Sequence, residues 1–81
     1  MKGIEYDNDI YRTIRHNIRR YRKEKGITSA WLAEATELSH DYIRQLQSDS
    51  AGAGMSVETL YKISVALGVS LDNLIEKDKE E

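Results

Sequence analysis

The sequence predicts an all-helical domain of five helices. Apolar residues recur at spacings of three and four along several segments, no stretch sustains the alternation of a strand, and Ser, Thr and Gly fall where helices should start and stop. The length of 81 residues, with 40% hydrophobic composition, suits one domain around one small core. We expect a flexible leader over residues 1–8, the domain over 9–76, and an acidic tail over 77–81.

The first helix is expected from about Asp9 to Lys25. Ile10 or Tyr11, Ile14, Ile18 and Tyr21 form its apolar stripe, and Arg12, Arg15, Arg19, Arg20, Arg22 and Lys23 occupy much of the remaining surface. Gly26 supplies the stop, because positive φ costs glycine little. Thr28 is a good N-cap for a short second helix, Ser29 to about Ala35, with Leu32 buried and Ala33 small enough for close approach of another helix. Trp31 is expected to cover the edge of the core, since a large aromatic side chain gains from packing, with exposure as a contact residue the alternative. After a tight connection over 36–38, Ser39 starts a third helix reaching about Gln47. Leu38 can pack on Ile43 as a hydrophobic staple, and Ile43 and Leu46 face inward. His40, Asp41, Arg44 and Gln45 are left on the front and outer face. Two short helices joined by so short a turn have the dimensions of a helix-turn-helix.

Residues 48–55, SDSAGAGM, read as a loop. Ser56 caps a fourth helix from Val57 to about Leu67, with Leu60, Ile63 and Leu67 on one side and Gly68 at its end. Ser70 caps a short fifth helix in which Leu71, Leu74 and Ile75 are expected to face inward, and Asp72 adds a favourable charge to its first turn.

The net charge of -2 conceals a partition. Residues 11–47 carry a net +4, flanked by -2 over residues 1–10 and -4 over 48–81. An acidic chain with a basic first half can still present a positive face. Cysteine is absent, which excludes disulfides and thiolate chemistry. The opening MKGIEYDNDI lacks the apolar stretch of a signal peptide, and no run approaches the roughly 18 apolar residues of a membrane span. A soluble, cytoplasmic protein is the simplest expectation. No enzyme site stands out. His16 and His40 fall on separate helices without cysteines to complete a metal cluster, and Gly-Ala-Gly lacks the longer pattern of a phosphate-binding loop. We therefore expect no catalytic residues, no cofactor and no metal.

Three segments carry a resemblance to a known family: RRYRKEKGIT, WLAEATELSHDYIRQLQ and SVETLYKISVALGVSLDNLI, within a stretch from Ile14 to Ile75. Together they resemble the lambda-repressor-like helix-turn-helix domains, also called the Cro/C1 or XRE family. The resemblance implies a five-helix DNA-binding domain whose third helix enters the major groove of double-stranded DNA. It implies His40, Asp41, Arg44 and Gln45 as base-facing residues. Arg44 can grip guanine O6 and N7 together, and Gln45 can present donor and acceptor to adenine. Asp41 can accept from cytosine N4, or it can simply favour the helix N-terminus. Thr28, Ser29 and Ser39 can donate to phosphate, the first and last while also capping helices.

The chain departs from the family pattern at four places. Ser29 replaces the usual glutamine and has a shorter reach. Glu37 stands where the turn often has glycine, at some strain if its φ is positive. Gln47 replaces a glutamate that pairs with an arginine of the first helix, so that Arg22 and Gln47 can share a hydrogen bond but not a salt bridge. The loop over 48–55 is slightly long and carries Asp49 but no Lys or Arg. The resemblance implies a sequence-specific transcriptional regulator, more often a repressor, acting as a homodimer through the fourth and fifth helices or the leader. The alternative is a protein-interaction or antitoxin-type module with a protein partner, using the same fold without reading DNA. The acidic leader, Ser29, Asp41 and the uncharged Gly-Ala-Gly of the loop favour it.

Overall fold

A computed structural model describes residues 4, 6–48 and 54–77. Five helices follow in order: α1 (Ile10–Glu24), α2 (Ser29–Thr36), α3 (His40–Leu46), α4 (Val57–Leu67) and α5 (Leu71–Ile75). No strand occurs among the described residues. Parts of the expected leader (1–3 and 5), loop (49–53, with Asp49) and tail (78–81) lie outside them.

Local chemistry sets the helix ends. The hydroxyls of Thr28, Ser39, Ser56 and Ser70 each accept a hydrogen bond from the backbone N–H three residues on, at 3.0–3.1 Å, satisfying a donor that the first turn leaves without a partner. At the start of α1 Asp9 makes no side-chain cap. Asp7 acts instead. Its carboxylate accepts from the Asp9 N–H at 2.9 Å and from the Thr13 hydroxyl at 2.7 Å. The Thr13 bond is the main reason that the Asp7 carboxyl is held below its ordinary value of 3.8.

The ends of α1, α2 and α4 share one construction. Gly26, Glu37 and Gly68 have φ of 68°, 61° and 71°. In each case the next N–H reaches back five residues: Ile27 to the Arg22 carbonyl, Leu38 to that of Ala33, and Val69 to that of Ser64, at 2.9–3.0 Å. Glu37 is the only non-glycine residue at positive φ among those described. The strain anticipated for it is therefore present.

All five helices contribute to the core: Ile14 and Ile18 from α1, Leu32 and Ala33 from α2, Ile43 and Leu46 from α3, Ile63 and Leu67 from α4, and Leu74 from α5. Ile10, Tyr21, Leu38, Tyr42 and Leu60 pack around them. Helix α1 lies against α4 and α5, while α2 lies against α3 and α4, so that the α2–turn–α3 unit rests on a support made by the other three.

Several expectations need correction. The helices α1 and α3 are shorter than expected, and Gln47 is the C-cap of α3, not a member of it, while Ser39 caps its start as expected. Trp31 is 49% exposed and does not close the core edge. Of the fifth helix's apolar residues only Leu74 is buried: the spacing sets Leu71, Leu74 and Ile75 on one side, but the packing of α1 and α4 against α5 covers the middle of that stripe and leaves Leu71 and Ile75 37% and 40% exposed. Arg15, expected on the surface, is 7% exposed. Asn17 is also buried. Its amide donates to the carbonyls of Leu74 and Glu76 at 2.8 and 2.9 Å, with that of Asn73 at 3.4 Å, and so fastens α5 to α1.

Candidate nucleic-acid interface

The unit formed by α2, the 37–39 turn and α3 presents a polar front. His40, Asp41, Arg44 and Gln45 are all exposed, while Ile43 and Leu46 on the opposite side of α3 are buried. The separation follows from helical spacing: the inward pair lies three apart, and the front residues fill the remaining arc. The turn is tight because Glu37 reverses the chain at the end of α2 and Ser39 caps α3 two residues later.

Arg44 and Asp41 form a salt bridge across one turn of α3, both exposed. Asp41 thus competes for the guanidinium and also orients it. Asp41, Arg44, Gln45 and Ser48 line an open depression on this face.

The three hydroxyl residues sit at the helix starts. Thr28 and Ser39 each use a lone pair for the cap, which leaves the hydroxyl proton available to an acceptor outside. Ser29 is half-buried, and its oxygen accepts from the Gln47 side-chain amide at 3.1 Å.

Gln47 is a junction of three helices. Its Oε1 accepts from Arg22 Nε at 2.8 Å, its Nε2 donates to Ser29 Oγ and to the Ile43 carbonyl at 3.1 Å, and its backbone carbonyl accepts from Arg19. Arg22 also donates to the Ile27 carbonyl at 2.8 Å, bracing the end of α1. The hydrogen bond between Arg22 and Gln47 expected from the resemblance is present. The link onward to Ser29, and the part of Arg19, were not foreseen. The juxtaposition of two departures from the family pattern, at 29 and 47, was the available signal.

The basic residues of α1 do not form one face. Arg15 is buried, Arg19 and Arg22 turn toward α3, and Arg20 lies 4.7 Å over the Tyr21 ring and near Glu24. Arg12, Lys23 and Lys25 remain exposed. Among the described residues no cluster of His, Asp or Glu could hold a metal ion, and no helix is long and apolar enough to cross a membrane.

A short capped helix, a tight turn and a second helix with an exposed polar front, held on three further helices, define a helix-turn-helix domain. Residues 17–80 match the Cro/C1-type HTH DNA-binding domain, and the chain belongs to that family. It is 35% identical over 69 residues to the HTH-type transcriptional regulator SinR of Bacillus licheniformis, covering 84% of this chain and 61% of that protein. The chain therefore spans less than two thirds of that relative's length. Among solved structures, the N-terminal DNA-binding domain of SinR from Bacillus subtilis superposes with a TM-score of 0.73 at 31% identity, covering 86% of this chain and 99% of that one. The master regulator for biofilm formation SinR, in complex with DNA, superposes with a TM-score of 0.71 at 32% identity, covering 78% and 98% of the two chains.

Proposed function

We propose that the protein is a sequence-specific transcriptional regulator that represses by occupying an operator in double-stranded DNA, working in the cytoplasm as a homodimer. The observation that carries this reading is the exposed polar front of α3, set on a rigid turn. Arg44 and Gln45 read base edges from the major groove, with His40 beside them in the first turn of the helix. Asp41 orients Arg44 and accepts from a base amino group. Thr28, Ser29 and Ser39 hold the phosphate backbone and so fix the register of the helix. SinR, solved with DNA, is similar over most of this chain, which supports the reading. One such module offers limited contact area, and pairing would supply both affinity and a palindromic site.

The test is selection from a random duplex pool, followed by binding of Arg44→Ala to the enriched site and to scrambled DNA. The variant loses at least about 1 kcal/mol on the enriched site and little on scrambled DNA, as removal of a bidentate base contact requires. Equal loss on both assigns Arg44 to phosphate. A folded protein that enriches no motif, and binds duplex only weakly at low salt, points to the protein-interaction alternative, with a protein partner in place of DNA.

A further inference from the structure

We infer that Gln47 is a positioning residue for a DNA phosphate: it directs the Ser29 hydroxyl proton outward and leaves the charge of Arg22 uncancelled. The inference rests on the DNA-binding reading and assigns a specific task to a residue that touches no DNA.

The orientation of the Gln47 amide is fixed by its two other partners. The Ile43 carbonyl can only accept, so the atom facing it at 3.1 Å is Nε2. Arg22 Nε can only donate, so the atom facing it at 2.8 Å is Oε1. A flipped amide would set carbonyl against carbonyl and donor against donor. With Gln47 92% buried, water offers no ready compensation. Nε2 is then also the atom that faces Ser29 Oγ, and Ser29 must accept. Its own proton finds no acceptor among the described residues and points away from Gln47. A hydroxyl whose oxygen already accepts is polarised and is a better donor to an anion.

Charge follows from the same side chain. Among the described residues the Arg22 guanidinium is met by the neutral oxygens of Gln47 and Ile27, which take two of its five donors. Arg19 likewise donates to the neutral Gln47 carbonyl. A glutamate at 47 would change both properties together. It would cancel one positive charge beside the start of α2, and, having no donor, it would accept the Ser29 proton itself. Gln47 thus trades an internal salt bridge for a donor and a charge, both connected with the N-terminus of α2. A phosphate there would also meet that helix's own first N–H groups.

The experiment measures binding of the full chain to a random-sequence duplex by fluorescence anisotropy over a salt series, with the thermal midpoint recorded for every variant. The wild type binds, and its affinity falls with salt. Gln47→Glu stays folded, because two arginines flank the new carboxylate, yet binds roughly tenfold more weakly, with the slope of log K against log salt shallower by about one. Ser29→Ala weakens binding severalfold in the wild-type background and has no further effect in the Gln47→Glu background, because the hydroxyl proton is already taken there. An unchanged salt slope in Gln47→Glu, or an equal Ser29→Ala loss in both backgrounds, overturns the inference and leaves the DNA reading intact. If Gln47→Glu unfolds, Ser29→Ala alone decides: a weaker complex with an unchanged salt slope supports the hydroxyl's role, and unchanged binding overturns it. A folded wild type without salt-dependent affinity overturns the DNA reading itself, and the inference with it.

Discussion

Arg44 meets any DNA already holding a partner. Its salt bridge with Asp41 is exposed on both sides, so water and salt screen it, and it stabilises the fold by no more than about 1 kcal/mol. On the proposed reading of α3, its effect falls on recognition. A guanidinium leaning on a carboxylate loses rotamer freedom before binding, and the carboxylate repels phosphates that would otherwise attract it. Asp41→Asn should therefore tighten binding to random duplex severalfold while lowering discrimination between the selected site and random DNA by about 1 kcal/mol, measured as paired affinities at one salt concentration. Asp7 carries a second prediction at this scale. Its folded-state pKa lies below 3.8, chiefly because Thr13 donates to it. A carboxyl depressed in the folded state contributes stability above its unfolded pKa, and that contribution is lost as pH falls through the folded value. Titration followed by carboxyl carbon shifts should place the Asp7 midpoint below 3.8 in the wild type and move it upward in Thr13→Val. Neither pairing is visible as a signal in the sequence itself. Asp41 and Arg44 have the spacing of a helical pair, but the spacing does not say whether they join. Asp7 lies in what reads as leader, ahead of a better-placed but unused cap at Asp9.

At the scale of the element, chain reversals recur in one form, and their residues differ. The same left-handed closure ends α1, α2 and α4, with glycine at the first and last and Glu37 in the middle. The left-handed region costs a side chain roughly 1–2 kcal/mol, partly offset by the extra freedom that glycine has in the unfolded chain. Glu37→Gly should therefore stabilise the domain by roughly 0.5–1 kcal/mol in thermal or urea unfolding. Gly68→Ala should destabilise it by about 1 kcal/mol for backbone reasons alone, since an added Cβ meets nothing within 4 Å. Gly54 has a different kind of neighbour. The Tyr11 ring lies over it, with ring carbons 2.6–3.0 Å from where a Cβ would stand. These cases mark how far local reading extends. The caps at Thr28, Ser39, Ser56 and Ser70 and the stops at Gly26 and Gly68 were legible because a helix end is satisfied by residues within three or four positions of it. Gly54 could be read as a loop residue but not as the seat of a tyrosine 43 positions earlier. Asn17 was read as nothing, because its acceptors lie 56–59 residues away. Asn17→Ala should cost about 2 kcal/mol, since it leaves the carbonyls of Leu74 and Glu76 without their buried donor. Amide exchange should rise in α5 before it rises in α1.

At the scale of the molecule, the polar front of α3 was legible and its supporting network was not. The core needed only the periodicity of five segments, and the front of α3 is what remains once Ile43 and Leu46 turn inward. Which arginines stay available to a partner depended on packing: charge counts placed six basic residues on the surface of α1, and the fold removes or engages four of them. The proposed dimer is a question of the same kind. Val57, Tyr61 and Val65 recur every fourth residue along α4 and are 76%, 58% and 61% exposed. A side of a helix that the core leaves open, apolar at three successive turns, differs from singly scattered apolar residues. Beside it, Tyr61, Val65 and Ala66 with Ala35 and Thr36, and the charged Glu37 and Lys62, wall a groove of about 210 Å³ between α2 and α4, room enough for a side chain of a second copy. Val65→Glu introduces charge on this stripe without touching the core. Sedimentation equilibrium should show the wild type as a dimer and the variant as a folded monomer. Affinity for an inverted repeat should then fall by more than affinity for a single half-site, because only the paired site depends on two copies binding together. If the variant keeps both its mass and its preference for the inverted repeat, α4 is not the interface, and the leader or α5 becomes the surface to change next.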